Sequence, residues 1–155
     1  MVICRLIFIK EEKKMQIVPT LNLGGNCREA IHMYEKAFNG KISCLITYGE
    51  SGDPEYALLK EDQKDHIYHS ELVLGDQRII MSDLVEGDIE FQVCYSNFLT
   101  VMLDTKEEVR QAYEIMKEGS KTIYQMEATP YSSCRVVFID KFGIRWGIMT
   151  EQTER

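Results

Sequence analysis

His69 and Glu71 stand two residues apart in HIYHSELVL, residues 66–74. On a strand that spacing puts both side chains on one face. An imidazole beside a carboxylate suits a general base held in orientation, or two ligands of a metal ion. It equally suits a hydrogen-bonded polar pair at the mouth of a sheet, with no chemistry. A second candidate is Gly24-Gly25 in LNLGGNCREAIHMYEKAF, between an apolar run and an amphipathic segment. Glycines there can cradle phosphate on the N–H groups of a helix N-terminus. A dinucleotide site wants G-x-G-x-x-G, a parallel βαβ unit and an acidic residue downstream. Only the glycine pair is present and hairpins dominate, so the reading is a turn.

The elements that must position these residues come in two halves with one plan. Gln16–Leu23 reads as a strand. Asn26 reads as an N-cap with Glu29 three residues on, and Cys27, Ala30, Ile31, Tyr34, Ala37 and Phe38 follow at helical spacing before Gly40. Lys41–Tyr48 is a strand, 50–65 a polar excursion, and His66–Leu74 with Gln77–Ser82 a hairpin across Gly75-Asp76. The second half has a strand over Asn97–Leu103, then a helix capped by Thr105 and Glu108 and ended by Gly119. A strand at Lys121–Met126, a loop at Glu127–Ser133, and a hairpin of Cys134–Ile139 with Ile144–Met149 complete it. A shift of 79 positions pairs Glu29 with Glu108, Tyr34 with Tyr113, Glu35 with Glu114 and Gly40 with Gly119. The second half has Asp104-Thr105 where the first has its glycines, which again favours a turn. The economical fold class is α+β, two tandem βαβββ modules over about 16–83 and 96–150 forming a curved mixed sheet around a cavity.

At 155 residues and 45% hydrophobic content the chain is one ordinary domain able to bury a core. Its net charge of -7, with scattered Lys and Arg, argues against nucleic acid, since no basic stripe exists to displace phosphate counterions. A small-molecule partner fits better. Cys4, Cys27, Cys44, Cys94 and Cys134 are odd in number and lack any C-x-x-C, which reads as reduced thiols in a cytoplasmic protein. No apolar run is long enough to span a bilayer, so no membrane partner is expected. The Lys10–Lys14 run, KEEKK, has purine-only codons ahead of Met15. The expectation is that Met15 is the physiological start and that 1–14 is upstream sequence; an added edge strand is the alternative.

The segments LNLGGNCREAIHMYEKAFNGKI, HSELVLGDQRIIMSD, KEEVRQAYEIMKEG and VVFIDKFGIRWGIM, in this order, resemble the vicinal oxygen chelate superfamily of glyoxalase I, bleomycin-resistance proteins and extradiol dioxygenases. Within it they are similar to the PhnB-like branch. The resemblance covers nearly all of 17–149. It implies paired βαβββ modules around a cavity, commonly as a homodimer, and a divalent metal held by one ligand from each of four strands. Those positions fall at about Val18, Ile80, Phe98 and Gly147, none of which offers a donor atom. The expectation is therefore no metal and no other cofactor. Some members of the branch carry a demethylubiquinone methyltransferase-like label, which no S-adenosylmethionine loop supports here.

With Ile80 taken as a cavity position, a two-residue turn sets Glu71 opposite Ile80 and His69 opposite Ser82, so His69, Glu71 and Ser82 line the cavity. A four-residue turn in the second hairpin puts Cys134 and Arg145 there too, although a one-residue error would reverse the face. Cys134 has no His near in sequence and only Arg135 as adjacent charge, which suits an inert small residue better than a nucleophile. Tyr131 falls where PhnB-like relatives carry an aromatic loop residue, and it would cap a ligand by stacking or simply pack its loop. Trp146 alternates with Gly147 and belongs to the helix-facing core. His32 and His66 read as surface residues. The leading expectation is a binder of a small organic molecule. The alternatives are a lyase or dioxygenase using non-standard ligands such as His69 and Glu71, and, third, a methyltransferase.

Overall fold

The computed structural model describes residues 16–85 and 96–151. Two four-stranded mixed sheets each carry one long helix. In the first, β1 (Thr20–Leu23) pairs in parallel with β4 (Gln77–Asp83), followed by β3 (Ile67–Leu74) and β2 (Lys41–Thr47). In the second, β5 (Leu99–Leu103) pairs in parallel with β8 (Arg145–Thr150), followed by β7 (Ser132–Ile139) and β6 (Lys121–Thr129). This is the expected α+β architecture of two modules, each contributing one four-stranded mixed sheet. The suggested extension over 1–14, and Cys4 and Cys94, lie outside the described residues.

The long helices α1 (Cys27–Ala37) and α3 (Lys106–Met116) are both 11 residues and sit 79 positions apart, as the repeat predicts. The 79-residue offset also links β1 to β5, but it fails after β2. There the first module carries an excursion between β2 and β3, whereas β6 and β7 join by a tight turn. The excursion holds a 3-10 turn at Pro54–Tyr56 and one helical turn, α2 (Glu61–Lys64). Its base is closed by backbone bonds from Tyr48 N to His66 O and from Gly49 N to Lys64 O.

Each helix buries the stripe that its spacing marks. Cys27, Ala30, Ile31 and Tyr34 of α1, and Val109, Ala112 and Met116 of α3, are fully or almost fully buried. They meet Leu72, Met81, Val136, Phe138, Trp146 and Ile148 from the sheets in one continuous core. Each Val, Leu, Ile, Met or Phe side chain among them contributes roughly 1.5–3 kcal/mol when withdrawn from water. The faces away from the helices are left as the open faces on which a site can be built.

Three local expectations change. The first strand begins at Thr20, four residues later than expected; Pro19 has no N–H to donate, and only its carbonyl joins the sheet, accepting from Ile80 N. Asn26 occupies the N-cap position but its side chain makes no capping bond. Residues 127–133 are mostly strand, with Thr129 opposite Ser132 across Pro130-Tyr131. The β6–β7 register is interrupted three times, and such bulges disrupt the simple alternation that marks a strand in sequence. Among the described residues no helix is long and apolar enough to cross a membrane.

Candidate functional site

The glycine turn is explained by a carboxylate far along the chain. Asp83, 1% exposed, accepts from Gly25 N at 2.8 Å and Cys27 N at 3.0 Å through Oδ1, and from Ile67 N at 2.9 Å through Oδ2. The chain's own anion thus occupies the start of α1, the place where a nucleotide phosphate would sit. Gly25 has a φ of +99°, and a Cβ there would lie 3.0 Å from the His66 ring. His66 is therefore packed against the turn and half-buried, with Nδ1 buried and unbonded, where a surface residue was expected.

On the first sheet, Ser70 and Leu72 point to the helices, and the Ser70 hydroxyl lies 3.8 Å from the Cys27 thiol. Alternation sends His69 and Glu71 to the open face. The register Glu71–Ile80 and Leu74–Gln77 is that of a two-residue turn, and continuing it sets His69 opposite Ser82. His69 Nε2 lies 3.3 Å from Glu71 Oε1, and Arg78 Nη1 donates to Glu71 Oε2 at 3.1 Å. The His69 contact, then the Arg78 charge and hydrogen bond, hold the Glu71 carboxyl below its ordinary range. Ser82 Oγ donates to Asn22 Oδ1 on β1 at 2.9 Å. Arg78 and Asn22 complete this polar group. The place of Arg78 was open to the same alternation argument, extended by one residue pair, whereas Asn22 depends on the parallel pairing of β1 with β4.

The second sheet presents a different surface. Phe138 and Trp146 pair on the helix side, so Arg135, Val137, Arg145 and Gly147 take the open face. The Arg145 guanidinium lies 4.5 Å from the Phe98 ring centroid. A Cβ on Gly147 would sit 3.2 Å from that same ring and 3.3 Å from Thr100 Oγ1, so the glycine makes room for Phe98. Arg135 lies 5.2 Å from the Tyr124 ring and 5.7 Å from the Tyr131 ring. Tyr131, expected on a loop, stands half-exposed in the tight β6–β7 turn.

Cys134 does not line the open face. The pairing of Ile139 with Arg145 leaves five residues, 140–144, in the turn where four were expected. That one residue shifts the register of β7 against β8, so Arg135 takes the place expected of Cys134, while Arg145 keeps its own. Cys134 instead joins Val136 and Phe138 in the core at 4% exposure, where burial pushes its thiol pKa up. Cys27 is pushed up to about 12, first by burial and then by the Asp83 charge. Neither has the depressed pKa of an activated nucleophile.

A metal of the kind the sequence resemblance implies does not fit these residues. Val18, Ile80, Phe98 and Gly147 bring no oxygen, nitrogen or thiolate donor. His69 and Glu71 are two donors, and both Glu71 oxygens are engaged. Among the described residues no three of His, Cys, Asp and Glu converge as a metal-binding group. A cleft of about 960 Å³ lies between the modules, with Phe38 and Trp146 among its apolar walls and Val18, Thr100 and Arg78 on its lining. Arg78 belongs to both the cleft and the His69–Glu71 group.

No protein-family model matches the chain. It is 25% identical over 147 residues to protein YjdN of Escherichia coli, covering 86% of this chain and 94% of that protein. Among solved structures it is similar to protein PA1353 of Pseudomonas aeruginosa, with a TM-score of 0.79 and 28% identity over 90% of this chain and 99% of that one. A PhnB protein of Bacillus cereus, described as a putative 3-demethylubiquinone-9 3-methyltransferase, matches with a TM-score of 0.70 and 20% identity over 88% and 99% of the two chains. The fosfomycin resistance protein FosX of Listeria monocytogenes, solved with Mn(II) and a dihydroxypropylphosphonic acid, matches with a TM-score of 0.60 and 14% identity over 90% and 93%.

Proposed function

The chain has the glyoxalase-like fold of the vicinal oxygen chelate superfamily, and its segments resemble the PhnB-like branch; from this we propose that it binds a small organic molecule without the superfamily's usual metal. The observation that carries this reading is the content of the four family ligand positions. Val18 and Ile80 are apolar, and Gly147 is spent on accommodating Phe98. What remains for recognition is a cleft with both apolar and polar walls, and the hydrogen-bonded His69–Glu71–Arg78 group beside it. Apolar walls with a few placed polar groups suit an organic solute. The reading includes a homodimer in the cytoplasm. The resemblance supports the first, and the absence of disulfides among Cys27, Cys44 and Cys134 is in keeping with the second.

A second reading, a metal-dependent lyase or dioxygenase with non-standard ligands, rests on the 3.3 Å contact between His69 and Glu71. The methyltransferase reading is third, because Asp83 already engages the N–H groups at the glycine turn that precedes α1. Elemental mass spectrometry of untagged protein separates the first two. Divalent metal far below one per chain, with no thermal stabilisation on adding divalent ions, is the expected result. Near-stoichiometric metal lost in His69→Ala and Glu71→Ala would replace the proposal by the second reading.

A further inference from the structure

The open face of the second module carries a cation that the first-module group does not use. Arg135 alternates with buried Val136 on β7, and its guanidinium is flanked by Tyr124 from β6 and Tyr131 from the β6–β7 turn. Two ring faces hold the guanidinium in place through their quadrupoles, but they do not neutralise it. Glu127 lies directly across in the strand register, yet the Arg135 guanidinium makes no ion pair or hydrogen bond with it or with any other described residue. Among the described residues the guanidinium is thus held by two ring faces with no carboxylate on its fork, which leaves its hydrogen-bond donors to an external anion. The two tyrosines are 51% and 52% exposed, so ring surface beside the guanidinium stays open to a flat molecule.

We infer that Arg135, Tyr124 and Tyr131 form a binding site for a planar organic carboxylate. The guanidinium fork takes the carboxylate oxygens side by side, and the tyrosine rings stack on the flat body of the ligand. If Arg135 served only to tie down the hairpin tip, a neutral ligand of the same shape would bind equally well. This site is separate from the His69–Glu71–Arg78 group, and it stands or falls independently of the function proposed above.

The test is a chemical-shift titration of the ¹⁵N-labelled full chain with benzoate and with benzamide, its uncharged counterpart of the same shape. Benzoate is expected to shift the amides of Tyr124 and of residues 131–135 saturably, and benzamide to bind at least about tenfold more weakly, the loss of one charge-assisted contact. Arg135→Gln should bring benzoate down to the benzamide level. Arg135→Lys should recover only part of the loss, because an ammonium lacks the planar fork. Tyr131→Ser, at the exposed turn, is the second variant: it keeps the cation and should weaken both ligands together. Equal binding of benzoate and benzamide, unchanged benzoate binding by Arg135→Gln in a folded protein, or a shift linear in benzoate without saturation would each overturn the assignment.

Discussion

Glu71 shows how one side chain can tie a candidate site to stability. Its folded-state pKa lies below its ordinary 4.5, chiefly through the His69 contact and then through Arg78. A carboxyl depressed on folding stabilises the protein above its ordinary pKa, and that contribution disappears as the pH falls through the depressed value. The difference in urea midpoint between the wild type and Glu71→Gln is therefore expected to be constant from about pH 7 to about pH 5 and to shrink towards pH 3. A gap that persists undiminished at pH 3 would mean that His69 and Arg78 do not hold the charge. The cysteines make the opposite point. Cys27 and Cys134 are held as thiols by burial, so neither belongs to the chemistry of the open faces.

The two long helices show how one element can be started in two ways. Thr105 caps α3 locally: its hydroxyl accepts from Glu108 N at 3.2 Å, while Glu108 Oε2 accepts from Thr105 N at 2.9 Å. The start of α1 instead depends on Asp83, 56 residues from Cys27, which also ties in the first residue of β3. Removing the local cap by Thr105→Ala should cost about 1 kcal/mol. Asp83→Ala leaves three N–H groups without their acceptor in or near the core and should cost about 3 kcal/mol or more. Denaturant unfolding of both variants checks the order. Equal losses would show that water replaces Asp83 at the turn.

At the scale of the whole molecule, an α1 residue reaches across the two modules. Tyr34 stacks edge-on against Trp146 with centroids 4.8 Å apart, and its hydroxyl donates to Asp140 at 2.5 Å, 106 residues away. Asp140 also accepts from Trp146 Nε1, Phe142 N and Ile144 N. The buried carboxylate thereby has donors on both oxygens, as a charge in the interior requires. Trp146 is the chain's single tryptophan, so its fluorescence reports this junction. Unfolding followed by fluorescence and by far-UV circular dichroism should coincide in one transition. Tyr34→Phe should keep that coincidence and lose about 1–2 kcal/mol, since Asp140 retains its other donors. Two separated transitions in the wild type would contradict the shared core.

Periodicity and turn length make the fold and the first half of the candidate site legible in the sequence. Helical spacing located α1 and α3, and the 79-residue repeat paired them, because these signals depend only on neighbouring residues. The two-residue turn at Gly75-Asp76 was enough to place His69, Glu71 and Ser82 on one face. The second half of the site depended on quantities that local sequence does not carry. One extra residue in the turn after β7 moved Cys134 into the core and put Arg135 on the open face. Bulges in β6 hid its continuation past Met126 to the turn that brings Tyr131 to Arg135. Asp83 at the start of α1 and Asp140 beneath Tyr34 are contacts across 56 and 106 positions. A side-chain period survives in the one-dimensional string, whereas register and long-range pairing exist only once the chain has packed.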